Sequence, residues 1–223
     1  MSDASDRPRT AMILAAGRGE RLRPLTDTTP KPLLRVRGQP LIERHVVALA
    51  QAGIRRIVIN LAWLGGQIRA ALEDGARWSL QIRYSDEGAE ALETGGGILR
   101  ALPWLGPQPF LVVNADVFTE LDFGTIHLAP EGLAQLVLVA NPMHHPHGDF
   151  ALANGRVQEQ GGARWTYSGI GLYRPELFQG CTAGRFPLLP LLRRAIAGGK
   201  LHGQVFEGIW SDVGSVERLA ALQ

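Results

Sequence analysis

The sequence predicts an α/β protein: a Rossmann-like, mostly parallel (mixed) sheet with helices on both faces. Three observations predict it. Short apolar runs bounded by glycine, proline or Asx turns alternate with stretches of helical periodicity. The runs are apolar at consecutive positions, as in Phe110 to Asn114, which is how strands buried on both faces read. Strand–helix–strand order recurs, which calls for right-handed crossovers and parallel neighbours.

Each element has its own signal. Thr10 to Ala16 (TAMILAA) reads as a first strand running into Gly17. Pro40 to Ala52 has helical spacing, with Leu41, His45, Ala48 and Leu49 on one face, Pro40 at the first helical position and Gly53 as the stop. Ile54 to Leu61 is a second strand, and Leu64 to Leu72 a helix closed by Asp74-Gly75. Leu80 to Ser85, Phe110 to Asn114 and Ala134 to Ala140 are three further strands, and Leu92 to Gly97 opens a helix. Beyond residue 148 the runs shorten: Phe150 to Leu152, Arg156 to Gln160 and Thr166 to Tyr173 read as an antiparallel or mixed extension around turns such as Asn154-Gly155. Pro187 to Ala197 and Val216 to Leu222 read as closing helices. No repeat or linker interrupts this, so residues 10–223 are expected to form a single domain after a flexible tail at residues 1–9.

Composition narrows the function. There are 23 basic and 21 acidic residues, scattered along the chain, so no nucleic-acid-binding face is expected. No apolar run approaches the ~20 residues of a membrane span, and the polar start has no signal-peptide core, so no membrane partner and a cytoplasmic location are expected. One cysteine, Cys181, excludes an internal disulfide and fits a reducing compartment. Of the basic residues, 21 are Arg and only two are Lys, Lys31 and Lys200. A monomer or weak dimer acting on small molecules is the expectation.

The chemistry gathers at the carboxyl ends of parallel strands, where such sheets bind ligands. The first strand leads into Ala15-Ala16-Gly17-Arg18-Gly19-Glu20-Arg21. Glycines there let backbone N–H groups approach phosphates, or simply make a tight turn. Leu22 replaces the third glycine of a dinucleotide fingerprint, and no Gly-Lys-Ser/Thr P-loop is present. Arg21 suits a bidentate grip on phosphate oxygens. Thr29-Pro30-Lys31-Pro32 stiffens the backbone around a lysine, which favours a pre-organised contact over a free surface side chain. Asp116 follows an apolar strand, and Asp212 stands in Trp210-Ser211-Asp212-Val213-Gly214-Ser215; each alone also reads as a turn or helix-cap residue. Glu93-Thr94-Gly95-Gly96-Gly97 offers backbone that can approach a flat base, with Thr94 as a partner or as a helix cap. His144, His145 and His147 lie among Pro142, Pro146 and Gly148 with no second ligand cluster, so they read as a solvated loop, not a metal centre. Most of the five tryptophans read as core, with Trp165 or Tyr167 near a sugar.

Leu14 to Thr26 with Thr29 to Leu33 resembles the signature of the sugar-1-phosphate nucleotidyltransferases, the glycines, arginine and lysine all falling at that family's spacing. The resemblance runs from Thr10 to Ala220 and implies a nucleotidyltransferase (GT-A-like) fold. It implies that Ala15, Ala16, Gly17, Arg18, Gly19, Glu20, Arg21 and Lys31 hold the nucleotide triphosphate, with Glu87, Thr94, Gly95 and Gly96 beside the base. Asp116 and Asp212 are then the Mg²⁺ ligands, and Arg21, Lys31 and Asp116 the catalytic set. Asn60, Asn114, Asp149, Ser168 and Gly169 are the expected sugar-phosphate contacts. The stretches His144-His145…Gly148-Asp149-Phe150 and Tyr167-Ser168-Gly169-Ile170 are similar to the uridylyl-transferring members of cell-wall (peptidoglycan) recycling, which implies UTP and N-acetylmuramic acid 1-phosphate. Mannose 1-phosphate guanylyl transfer, glucose 1-phosphate thymidylyl transfer and a non-catalytic nucleotide-sugar-binding module are the alternatives. The Glu-Lys-Pro segment of the thymidylyl- and guanylyltransferases is missing near Arg156 to Arg164, so the sugar is expected to be held differently.

Overall fold

The computed structural model describes residues 8–88 and 90–223, so most of the expected tail lies outside the described residues. The first half alternates as the hydrophobic pattern dictates. β1 (Thr10–Leu14) leads through a short helical turn, α1 (Leu25–Thr28), to a small hairpin of β2 (Arg35–Val36) and β3 (Gln39–Pro40). Then come α2 (Leu41–Gln51), β4 (Arg56–Leu61), α3 (Gly65–Leu72), β5 (Gln81–Asp86), α4 (Glu93–Leu105) and β6 (Phe110–Asn114). The second half adds β7 (Val117–Thr119), β8 (Ala134–Val139), β9 (Phe150–Ala153), β10 (Arg156–Gln158) and the long β11 (Arg164–Tyr173). It closes with α5 (Leu189–Ala197), β12 (Leu201–Val205), β13 (Trp210–Asp212) and α6 (Val216–Ala220).

Nine strands form one sheet in the order β5-β4-β1-β6-β11-β8-β12-β10-β9. The pairs β5–β4, β4–β1, β1–β6 and β8–β12 are parallel, and β11 and β10 run against their neighbours. The strands alternate their side chains between two cores. Ala11 and Ile13 of β1, Ile57 and Ile59 of β4, and Leu111 and Val113 of β6 face one core, which α2 and α3 cover with Ile42, Val46, Leu49, Ile68 and Leu72. Met12, Val58, Phe110 and Val112 face the other, covered by α4 and α5 through Ile98, Ala101, Leu105, Leu191 and Leu192. A third small cluster, Val36, Leu41, Phe118, Val213 and Leu222, ties the C-terminus to the β2–β3 hairpin.

Three details differ from the sequence reading. Pro40 is the N-cap of α2, and Leu41 is the first helical residue, because Pro40 is held in β3. β12 was not expected: His202, Gly203 and Gln204 break the apolar run, yet the strand lies inside the sheet between β8 and β10. None of the five tryptophans is fully buried. Trp78, Trp104, Trp165 and Trp210 only lean on the cores, and Trp63 turns toward the first glycine turn.

Candidate active site

Two clefts open at the carboxyl end of the parallel strands. The first, about 510 Å³, is lined by the turn after β1, by Lys31, Asn60, Glu87 and Thr94, and by Asn114 to Asp116. Its floor is a chain of buried hydrogen bonds across the sheet. The Ala15 amide donates to Asn60 Oδ1 at 2.7 Å, Asn60 Nδ2 donates to Glu87 Oε1 at 2.8 Å, and Glu87 Oε2 accepts from the Leu92 amide at 2.7 Å. The Ala15 donor fixes which end of the Asn60 amide faces β1. Asn60 and Glu87 thus clamp β1, β4 and the start of α4 together, with 3% and 8% of their surfaces exposed.

Gly19 sits in the left-handed region at φ 71°, which lets its carbonyl accept from Thr26 Oγ1 at 2.9 Å and cap the turn. Arg18 stacks on Trp63 at 3.6 Å, while Trp63 Nε1 donates to the Thr26 carbonyl. Gly17 has open space around it. Arg21 and Glu20 are exposed at the rim, and Arg21 makes no ion pair among the described residues. Lys31, between buried Pro30 and Pro32, reaches Asp116 Oδ2 at 2.5 Å.

The start of α4 corrects two expectations. Leu92 is the N-cap and no side chain caps the helix, so Thr94 is not a cap; it lines the cleft beside Glu93. Gly95 and Gly96 are not among the residues lining the cleft, and a side chain at either would run into the 184–186 segment. A methyl on Gly95 would lie 2.5 Å from the Phe186 ring, and one on Gly96 would lie 2.2 Å from the Gly184 carbonyl oxygen. These glycines let the 184–186 segment lie flat on α4, bonded through Gly96 N to Phe186 O and Phe186 N to Leu92 O.

The second cleft, about 310 Å³, shares Asn114 and Asp116 with the first and adds His144, His145, Asp149, Tyr167, Ser168, Gly169, Trp210 and Asp212. Asp212 arrives from far along the chain because β13 pairs antiparallel with β7, setting Asp212 opposite Val117, and the Val213 amide bonds the Asp116 carbonyl at 2.8 Å. Both aspartates therefore flank one seam. Asp212 meets Arg218 Nη1 at 2.7 Å and lies 3.2 Å from His144 Nε2. Asp149 accepts from the Tyr167 amide at 2.8 Å and pairs with His145 at 3.1 Å. Asn60, expected here, lines only the first cleft. Ser168 borders the second, but its hydroxyl is committed to backbone, donating to the Val137 carbonyl at 2.7 Å and accepting from the Ile170 amide. Gly169, at φ 79° in a β11 bulge, makes room for Asn114: a methyl there would sit 2.6 Å from its Nδ2. Trp165 is not part of the lining. Tyr167 bonds Tyr173 hydroxyl to hydroxyl at 2.7 Å, and burial pushes both phenols up.

Behind the seam stands His45. Burial pushes its imidazole down to about 4, partly opposed by a hydrogen bond with the Val117 backbone and by the Asp116 charge, and assisted by Arg44. Sequence reading placed His45 on the buried face of its helix without connecting it to Asp116. It also missed Arg218, whose link to Asp212 depends on how α6 folds back.

Asp116 and Asp212 offer hard carboxylate oxygens, and each already faces a cationic side chain, so the donor set fits a divalent metal. No group of three or more His, Cys, Asp or Glu side chains able to hold a metal occurs among the described residues. Such an ion would complete its shell with substrate phosphates and water.

Fold and clefts together define an α/β protein with a two-chambered small-molecule site at the carboxyl edge of its parallel strands. The match to the nucleotidyl transferase family model spans residues 10–152, and the chain belongs to that family. It is 54% identical over 222 residues to the N-acetylmuramate alpha-1-phosphate uridylyltransferase of Neisseria meningitidis serogroup B, covering 96% of both chains. It is 36% identical to the enzyme of the same name from Caulobacter vibrioides, covering 97% of both. Among solved structures, HddC from Yersinia pseudotuberculosis superposes with a TM-score of 0.78 at 22% identity, covering 96% of this chain and 97% of that one. The inositol-1-phosphate CTP transferase of T. maritima does so at 0.75 and 17%, covering 95% and 91%, so the fold is shared well beyond sequence similarity. No described helix is long and apolar enough to cross a membrane.

Proposed function

We propose that the protein joins UTP to N-acetylmuramic acid 1-phosphate, giving the UDP-sugar and pyrophosphate, and that residues 10–223 act as one cytoplasmic unit, monomeric or weakly dimeric. The observation that carries this reading is the shared border of the two clefts at Asn114 and Asp116. A donor in the first cleft and an acceptor in the second would meet there. The names of the two relatives above support the choice of substrates.

In this reading the turn from Ala15 to Arg21 wraps the triphosphate, with Arg21 taking phosphate oxygens in a bidentate grip. Glu87 and Thr94 stand by the base. Asn60 acts as a strut under Ala15, not as a sugar contact. Lys31 holds charge beside the reacting phosphate, pre-organised by the two prolines. Asp149 and Gly169 border the acceptor. Mg²⁺ at Asp116 and Asp212, when bound, would supply charge neutralisation on the α-phosphate. The acceptor phosphate is already a nucleophile, so alignment and electrostatics suffice and no covalent enzyme intermediate forms.

Pyrophosphate release across a grid of nucleoside triphosphates and sugar 1-phosphates tests the proposal. Signal with UTP and N-acetylmuramic acid 1-phosphate is expected. Signal confined to GTP with mannose 1-phosphate, or to dTTP with glucose 1-phosphate, would overturn it.

A further inference from the structure

The second cleft poses an electrostatic problem. Three aspartates line it, Asp116, Asp149 and Asp212, with no Lys or Arg among its described lining residues. A sugar 1-phosphate is an anion, and a cleft of carboxylates repels it. Besides the divalent cation proposed at Asp116 and Asp212, cationic side chains must come from just outside. Lys31 is one, already held on Asp116. Arg164, the arginine of β11, has four of its five N–H donors committed to the carbonyls of His147, Gly148, Asp149 and Glu159. The remaining candidate is Arg218 on α6.

Arg218 is bound in a specific way. Its Nη1 lies 2.7 and 2.8 Å from the two oxygens of Asp212 and 2.5 Å from Nε2 of His144. Its guanidinium lies directly over Gly214, where a methyl group would come within 2.0 Å of Nη2 and displace it from this position. Gly214 lines the first cleft and Asp212 the second. The guanidinium thus stands between the two chambers, on the carboxylate that the proposed metal would need. The ion pair is partly open to solvent, with 21% and 25% of the side chains exposed, which keeps it breakable.

We propose that Arg218 is a substrate-positioning residue that exchanges partners: it neutralises Asp212 in the free protein and passes to the acceptor's anionic group when a divalent cation takes Asp212. The inference rests on the reading of Asp116 and Asp212 given above. Every charge keeps a partner through the exchange, because the divalent cation takes the guanidinium's place on the carboxylate while the guanidinium moves to an incoming phosphate or sugar carboxylate. Planar, bidentate recognition of such groups is what arginine does better than lysine.

Two measurements test it, both on the full chain. In the first, Mn²⁺ is titrated into substrate-free protein and free ion is followed by electron paramagnetic resonance. Arg218→Gln removes the competitor for Asp212, so Mn²⁺ should bind about threefold tighter than in the unmodified protein. Equal, weaker or absent binding in the variant would overturn the proposal. In the second, steady-state kinetics separate the substrates. Arg218→Gln should raise the KM for the sugar 1-phosphate about tenfold or more and leave the KM for UTP within about twofold. Arg218→Lys, which keeps the charge but not the fork, should fall between. An unchanged acceptor KM, or equal losses for both substrates, would refute it. Far-ultraviolet circular dichroism and a thermal melt establish that the variants are folded. If the unmodified protein turns over no sugar 1-phosphate, the proposed reaction fails, while the Mn²⁺ titration still decides the Arg218–Asp212 competition.

Discussion

Gly96→Ala should destabilise the protein without a specific effect on nucleotide binding. Gly96 lies in the first turn of α4, where alanine is intrinsically better by about 1 kcal/mol. Packing opposes that gain. The new methyl would sit 2.2 Å from the Gly184 carbonyl oxygen, a backbone atom that cannot rotate away. The 184–186 segment must lift, weakening two backbone hydrogen bonds of 3.1 and 3.2 Å between α4 and Phe186. Two such bonds are worth about 2 kcal/mol, and overpacking adds roughly 1–3 kcal/mol. Subtracting the helix gain leaves a net loss of about 2–4 kcal/mol, or roughly 4–16 °C in Tm for a chain of this size. Urea denaturation and a thermal melt measure it. Gly17→Ala is the counterpart: its methyl meets nothing within 4 Å and faces the first cleft, so stability should hold within about 0.5 kcal/mol while the KM for UTP rises. If Gly96→Ala melted like the unmodified protein and instead raised the KM for UTP, Gly96 would be a ligand contact and the packing argument would be wrong.

Lys31→Ala should lower kcat by about 10²- to 10³-fold with the fold intact by circular dichroism; retention of most activity would remove Lys31 from the reacting centre. Glu87→Gln keeps the shape but turns an amide N–H₂ toward either Asn60 Nδ2 or the Leu92 amide, both donors, so the KM for UTP should rise more than kcat falls. Stability should fall with pH through His45. The unfolded imidazole takes a proton near 6.5 and the folded one resists until about 4, so the contribution is intact above 6.5 and lost on descending to 4. At the limit this is about 3 kcal/mol, and His45→Gln should flatten that part of the urea-stability profile. An unchanged slope in the variant would assign the pH dependence elsewhere.

What could be read in advance follows from locality. The Gly17–Arg21 turn, the proline-braced Lys31 and Asp116 at the end of β6 are contiguous signals, and all border the clefts. The parallel half of the sheet was equally legible, because buried strands carry unbroken apolar runs. Contacts made across the sheet were not. Asn60 was assigned to the sugar, yet it braces Ala15; its role is set by a partner 45 residues away. Gly95 and Gly96 carry a composition that suits a base, and only the return of the 184–186 segment shows that they also serve close packing. β12 hides behind a histidine, a glycine and a glutamine, and its place is fixed by its neighbours β8 and β10. Arg218 has no local signature: its link to Asp212 depends on how α6 folds back, and its other partner, His144, lies 74 residues earlier.

The bulge at Gly169 is where the two chambers meet: Gly169 lines the second and packs on Asn114, which lines both. The family match ends at residue 152, soon after the strands that floor the first chamber, whereas the stretch from β9 to β13 walls the second. If the second chamber takes the acceptor, as proposed, exchanging that later stretch between relatives should change the acceptor and leave the nucleotide choice in place. The one joint such a graft must respect is the fit of Asn114 against the bare Cα at 169.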